Sequence, residues 1–417
     1  QPVKKVEKKI QKLIMADDVQ KRLSQFSPTE IDFDEKLVKP KFRKVLIKLV
    51  QAAQILDDIF LDQVSAGNRK LRARLVKEKA PAAVLDYFDM MYGPWDRLSA
   101  DEPFVGKVHK PRGASYYPED ITKKELEAWI KANPKDARAF RGYFTVIKRQ
   151  GKKLVAVPYS VAYGPRLKAA AKLLEEAARL SPHKALSTYL SLRAAALLSD
   201  DYYKSDLAWM DLGDSPIEVV IGPYEVYEDR LMGYKAAMEA FITLRDPVFS
   251  KRLEKIARYN KQLEGNLPLP KKYHTKRGLK SPISVVIEVF TGGDTRAGVQ
   301  TAAFNLPNDE RVRTEKGSKK VMLKNVTEAK FNKALIPIAR RVVDSKLLAS
   351  ISFDAYFTEI LLHEMAHGIG PGKIKKDGKE TEVNKELKDL YPAFEECKAD
   401  IVGLLSGEYL IKKRVLP

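Results

Sequence analysis

The chain carries two histidines four residues apart with a glutamate beside the first, in Leu362-His363-Glu364-Met365-Ala366-His367. On a helix, positions i and i+4 lie about one turn apart on one face, so both imidazoles can reach a single tetrahedral metal. Glu364 projects toward the metal's open side, where a carboxylate can take a proton from an attacking water as general base. Histidine is scarce, five in 417 residues. A pair at this spacing around a glutamate therefore stands out from the alternative of a chance pairing on a solvated or core face.

Zinc needs a third protein ligand. The longer pattern His-Glu-x-x-His-x-x-Gly-x-x-His is met at Gly370, but Lys373 stands where its last histidine would be, which excludes a three-histidine site of that kind. Cys397 is the only cysteine, so a cysteine-based zinc site and an intrachain disulfide are excluded as well. The remaining solution is a carboxylate from a later helix. Glu395-Glu396-Cys397-Lys398-Ala399-Asp400 supplies Glu396 as ligand and, one turn on, Asp400 to accept the remaining N–H of a ligand histidine. Alone, such acidic residues describe an ordinary charged helix. Followed by the apolar run Ile401 to Leu405, they read as a helix that faces the first one. Zinc in such a site polarises a scissile carbonyl and activates water, while Glu364 moves the proton to the leaving amine. That is amide hydrolysis without a covalent intermediate, and peptides are the expected substrates.

The elements that must position these groups can be read in outline. Ser352 is a good N-cap for a helix that runs through the histidines to the stop at Gly368-Ile369-Gly370-Pro371. The first 90 residues read as helices, including Val3 to Met15 and Phe42 to Leu61, with Pro40 and Pro81 as breaks, and residues 92–118 as a long irregular connection. A hairpin is expected around Gln150-Gly151, then helices over Leu167 to Leu180 and Lys184 to Leu198. Strand-like runs follow at Ile217 to Ile221, Ile283 to Phe290, Ala302 to Leu306 and Val321 to Lys324, interrupted by helical Leu231 to Thr243 and Pro247 to Leu263. From Phe331 onward the chain reads as helical. The segment Gly292 to Gly298 contains glycines but lacks the Gly-Lys-Ser/Thr ending of a phosphate loop. The mixture argues for α+β, a mostly helical protein with a small sheet or barrel, and the proline-rich, basic stretch Glu264 to Pro282 is the candidate crossing between lobes.

Seventy-five Lys and Arg against 55 Asp and Glu give a net charge of +20. Basic residues alternate with acidic ones along the N-terminal helical faces, and residues 363–417 hold ten of each sign. No recognition helix or zinc-finger spacing accompanies the excess, so no specific nucleic-acid partner is expected. No stretch approaches the roughly 20 apolar residues of a membrane span. The chain is expected to be soluble, in the cytoplasm, or exported where a leader before Gln1 has been removed.

Three segments resemble the dipeptidyl peptidase III family, the M49 metallopeptidases. They are the His363–Gly368 motif with Glu395 to Leu404, then Asn305-Leu306-Pro307-Asn308-Asp309 with Arg313 to Gly317 and Val321 to Asn325, and Tyr224-Glu225-Val226-Tyr227-Glu228-Asp229. The five-residue His-Glu-x-x-His form is similar to bacterial members. The resemblance implies one zinc ion held by His363, His367 and Glu396, with Glu364 as the base and Glu395 and Asp400 orienting the ligands. It also implies that Glu225, Asn305 and Asn308 bind the N-terminus of a peptide and that Tyr227 steadies the carbonyl near the metal. Such a ruler between ammonium site and metal would make an exopeptidase that releases dipeptides from peptides with a free N-terminus.

The family's architecture implies a lower lobe with a small β-barrel and a helical zinc-binding upper lobe. On this chain that places residues 1–246 in the lower lobe, 247–282 in an upper-lobe excursion, 283–327 in barrel strands carrying the N-terminus site, and 328–417 in the zinc lobe. The chain ends 21 residues after Glu396, and no histidine follows His367, so the upper lobe is expected to be incomplete. Two other readings stay open: a related zinc peptidase with another cut position, and a non-catalytic peptide- or partner-binding member of the same fold.

Overall fold

A computed structural model describes residues 13–274, 282–387 and 390–417. Most of the expected N-terminal helix Val3 to Met15 and residues 275–281 of the expected crossing lie outside them. The chain divides into two compact units: residues 1–30, 34–243 and 289–301 form the first, and residues 31–33, 244–288 and 302–417 the second.

In the first unit, helix α1 (Arg43–Val64) buries Val45, Leu49, Ala52, Ala53, Leu56, Ile59 and Phe60, the i, i+3, i+4 stripe that makes one face apolar. It packs on α2 (Gly164–Leu180), which packs in turn on α3 (Lys184–Ser199). Pro182 separates α2 from α3 because it has no N–H to continue a helix. Thr145–Gln150 and Lys153–Pro158 form the expected antiparallel hairpin.

Five strands form a mixed sheet. They are β1 (Ile217–Pro223), β2 (Met238–Arg245), β3 (Ile283–Gly293), β4 (Ala303–Leu306) and β5 (Lys319–Leu323), in the order β1-β2-β3-β5-β4. Strand β5 pairs parallel with β3, setting Lys320 opposite Ile283, and antiparallel with β4, setting Lys320 opposite Asn305. Among the described residues the sheet is open, with β1 and β4 at its ends, which corrects the expected barrel. Closure needs the two end strands to pair along a common stagger, and β4 is only four residues long.

Two stretches expected to be helical contain strands. Residues 238–243 lie in β2 and not in a helix, although Lys235-Ala236-Ala237-Met238-Glu239-Ala240 is rich in helix formers. Every residue from Met238 to Leu244 is buried between neighbouring strands, and packing on both faces overrides weak local propensity. Past Phe331 the chain is not uniformly helical, because Lys373–Lys376 and Lys379–Glu382 form a hairpin. Its turn, Asp377-Gly378, has φ of 51° and 78°, the left-handed pair that a two-residue hairpin requires.

The Gly292 to Gly298 segment serves packing in the first unit. The Gly293 N–H donates to Asp57 Oδ1 at 2.6 Å, so a carboxylate already holds the backbone donor that a phosphate would use. Next to it, burial pushes the Asp294 carboxyl up to about 7; Glu228 and Glu225 add to the shift, and Arg97 and Lys110 oppose it. Between pH 4 and 7 the folded chain therefore keeps a proton that the unfolded chain has released, so stability falls as pH rises through that window. Asp294→Asn is expected to flatten this slope and to stabilise the chain at pH 8 by up to about 4 kcal/mol, with little change at pH 4. Thermal melts of both proteins at the two pH values test it, and parallel pH dependences would refute it.

Candidate metal centre

The site lies in the second unit, on two helices. Helix α5 (Phe353–Ala366) starts where expected: Ser352 Oγ accepts from the Ala355 N–H at 3.2 Å, satisfying one of the orphan donors of the first turn. Phe353 and Phe357 fix its first half, with Phe357 edge-on to Phe249 of helix α4 (Pro247–Ala257) and Phe353 edge-on to Phe331. The second helix, α6 (Tyr391–Lys412), carries Glu395, Glu396 and Asp400.

The two helices come into close contact at Gly403. A Cβ there would sit 3.1 Å from the His363 nitrogen and 3.3 Å from its Cα. The missing side chain is what lets α6 carry its carboxylates up to the histidines. Ala399, Val402 and Leu410 are buried against Leu361, Leu362, Met365 and Ala366. Within the apolar run Ile401 to Leu405, however, Ile401 and Leu404 are exposed, so only part of that run faces α5.

His363 and His367 lie with ring centroids 4.9 Å apart. Glu396 Oε2 is 3.3 Å from His363 Nε2, and its Oε1 is 3.9 Å from His367 Nε2. One donor atom from each of the three residues lies within 4.8 Å of the other two. The other ring nitrogens are engaged: His363 Nδ1 with Asp400 at 2.7 Å and His367 Nδ1 with Glu395 at 3.0 Å. A carboxylate at Nδ1 fixes the tautomer that leaves Nε2 as the lone-pair donor. Two imidazoles and one carboxylate, converging on a solvent-facing point, are the donor chemistry of a zinc site with an open position. The residues present fit that ion.

Groups around this trio complete the arrangement. Lys398 Nζ donates to Glu395 Oε1 at 2.8 Å and to the His367 and Ile369 carbonyls at 3.3 and 3.0 Å, covering the end of α5. Burial raises the Glu395 carboxyl, but hydrogen bonds from Lys398 and His367 outweigh it and hold the group below its ordinary value. Glu359, one turn before His363, is shifted up by burial; the His363 charge opposes the shift and Asp400 adds to it. Glu264 Oε2 accepts from the Gly370 N–H at 2.8 Å, pinning the reversal after α5. Glu364 meets Lys320: Nζ lies 2.6 Å from Oε2 and 2.7 Å from the main-chain oxygen of the same residue. Sequence reasoning missed Lys320, Lys398 and Glu264. Only Lys398 had a local signal, its i+3 spacing from Glu395.

The residues that the family resemblance assigns to the substrate are divided between the units. Asn305 is exposed on the edge strand β4, and Asn308, also exposed, sits just before the helix capped by Asp309; both belong to the second unit. Glu225 and Tyr227 belong to the first unit, in the turn after β1. The Ala237 N–H donates to the Glu225 carbonyl at 2.7 Å, fixing that turn. Tyr227 is 77% exposed. Its pKa is raised by the Glu225 charge first and by burial second.

Comparison with known proteins gives three informative matches. Dipeptidyl peptidase III from Caldithrix abyssi matches with a TM-score of 0.93 and 53% identity, over 95% of this chain and 76% of that one. The dipeptidyl-peptidase III of Corallococcus sp. strain EGB matches with a TM-score of 0.81 and 43% identity, over 96% and 76%. The Arabidopsis thaliana protein named Nudix hydrolase 3 is 37% identical over 95% of this chain, which spans 58% of its length. The profile of Peptidase family M49 matches residues 163–391, more than half of the chain. The chain belongs to peptidase family M49.

Proposed function

We propose that the protein is a zinc-dependent exopeptidase that releases dipeptides from the N-terminus of oligopeptides. The observation that carries this is the convergence of His363, His367 and Glu396 next to Glu364. Zinc held there would supply Lewis-acid polarisation of the scissile carbonyl and of the attacking water. His363 and His367 would hold it through Nε2, Asp400 and Glu395 orienting the rings, and Glu396 would add its carboxylate. Glu364 takes the proton of the attacking water and hands it to the departing amine, so the two halves of hydrolysis use one carboxyl.

Glu225, Asn305 and Asn308 are the candidate partners of the substrate ammonium, through charge-assisted and amide hydrogen bonds, and Tyr227 is the candidate donor to the carbonyl. Binding the ammonium at a set distance from the attacked carbonyl defines the length of the released piece. Support comes from the family and from the two dipeptidyl peptidase III structures. Among the described residues no helix is long and apolar enough to cross a membrane.

The expected result is dipeptide release from peptides with a free N-terminus and none from their N-acetylated counterparts, read by mass spectrometry with and without chelator. Fragments of other lengths would replace this reading with a peptidase of another cut position. No hydrolysis of any peptide, with retained peptide binding, would leave a non-catalytic binder.

A further inference from the structure

Glu364 occupies the last turn of α5, where carbonyls run out of helical partners. The Gly368 and Ile369 N–H groups donate to Met365 and Ala366. The Glu364 carbonyl instead accepts from Lys320 Nζ at 2.7 Å, and the same ammonium donates to Glu364 Oε2 at 2.6 Å. Lys320 itself is held firmly. It lies in the interior of the sheet, between β3 and β4, and its own N–H donates to the Pro282 carbonyl at 3.0 Å. The lysine side chain is 13% exposed and the glutamate side chain 26%, so solvent screens the pair less than it would a surface pair.

We propose that Lys320 is the positioning residue of Glu364. One ammonium grips a carboxylate oxygen and the main-chain oxygen of the same residue. This two-point hold removes the side-chain freedom a glutamate would otherwise keep, and leaves Oε1 as the oxygen that meets the water. The inference rests on the peptidase reading for its kinetic consequence, but the hold itself is a statement about where the carboxylate sits. A lysine that merely capped α5 would contribute to folding and leave turnover untouched.

The test uses the zinc-loaded chain and its Lys320→Met, Lys320→Gln and Lys320→Arg variants, with kinetics on a peptide that has a free N-terminus and a crystal structure of each. Lys320→Met is expected to lower kcat about 100-fold, the cost of misplacing a reacting group by about 1 Å. KM should stay within about threefold and bound zinc should be unchanged. Lys320→Arg, which keeps the charge and the donors, should recover at least a tenth of the lost kcat. Lys320→Gln keeps a donor without the charge and takes the place of the methionine variant if that does not fold. In the crystals, the Glu364 carboxylate should leave its wild-type position in Lys320→Met. Wild-type turnover in that variant, or an unmoved Glu364, would overturn the proposal. If the wild-type chain hydrolyses no peptide, the peptidase reading fails, and the crystallographic position of Glu364 still decides whether Lys320 holds it.

Discussion

Glu364→Gln is expected to lower kcat for peptide hydrolysis by about 10⁴-fold, the upper end of what a positioned general base contributes. Glutamine has the same shape and can still accept a hydrogen bond from Lys320, whose Nζ lies 2.6 Å from the carboxylate it replaces. What it cannot do is take a proton from water and return it to an amine. Both halves of the reaction lose their proton carrier together, so kcat should collapse while KM and bound zinc stay near wild type. Steady-state kinetics and metal analysis on the same preparation read this out. A glutamine variant that turns over at the wild-type rate would remove Glu364 from the chemistry, and one that loses its zinc would make it a structural support for the metal helix.

The second large effect concerns the metal. His363→Ala removes one of three protein donors and the ring that Asp400 engages at 2.7 Å. Zinc affinity should fall by more than about 100-fold, and hydrolysis should disappear with it. Asp400→Asn is expected to cost less, roughly 10- to 100-fold, because the amide oxygen still accepts from Nδ1 while the charge that strengthens the imidazole as a donor is lost. Competition with a chelating dye measures both. A His363→Ala chain that binds zinc as tightly as wild type would place the metal elsewhere, and equal losses in the two variants would mean that Asp400 does more than orient a ring.

Much of the site was legible before the fold because its core is local. Two histidines at i and i+4 share a helix face whatever the rest of the protein does, and Ser352 and the glycines after His367 mark the ends of that helix. The hairpin at Asp377-Gly378 was equally legible, since few pairs other than Asp-Gly or Asn-Gly accept two left-handed residues in a row. The helical reading of the C-terminal region passed over it. Strand β2 was not legible. Its Ala, Met and Glu residues favour a helix, and only burial between two other strands reverses that preference.

Residue types and spacing by themselves singled out His363, His367 and Glu396 as the candidate donor set and Glu364 beside them as the candidate base, and they excluded a cysteine site and a third histidine after Gly370. Helical periodicity is a property of the backbone and needs no tertiary context. The tertiary structure alone decided which carboxylate serves which ring, Asp400 for His363 and Glu395 for His367. It alone brought Lys320, 44 residues earlier and on a strand, to the carboxylate of Glu364. Those pairings depend on how closely α6 packs on α5 at Gly403 and on where β5 lies in the sheet. Such distances are set by side-chain volumes and strand register summed over a whole core, which no local stretch of sequence encodes.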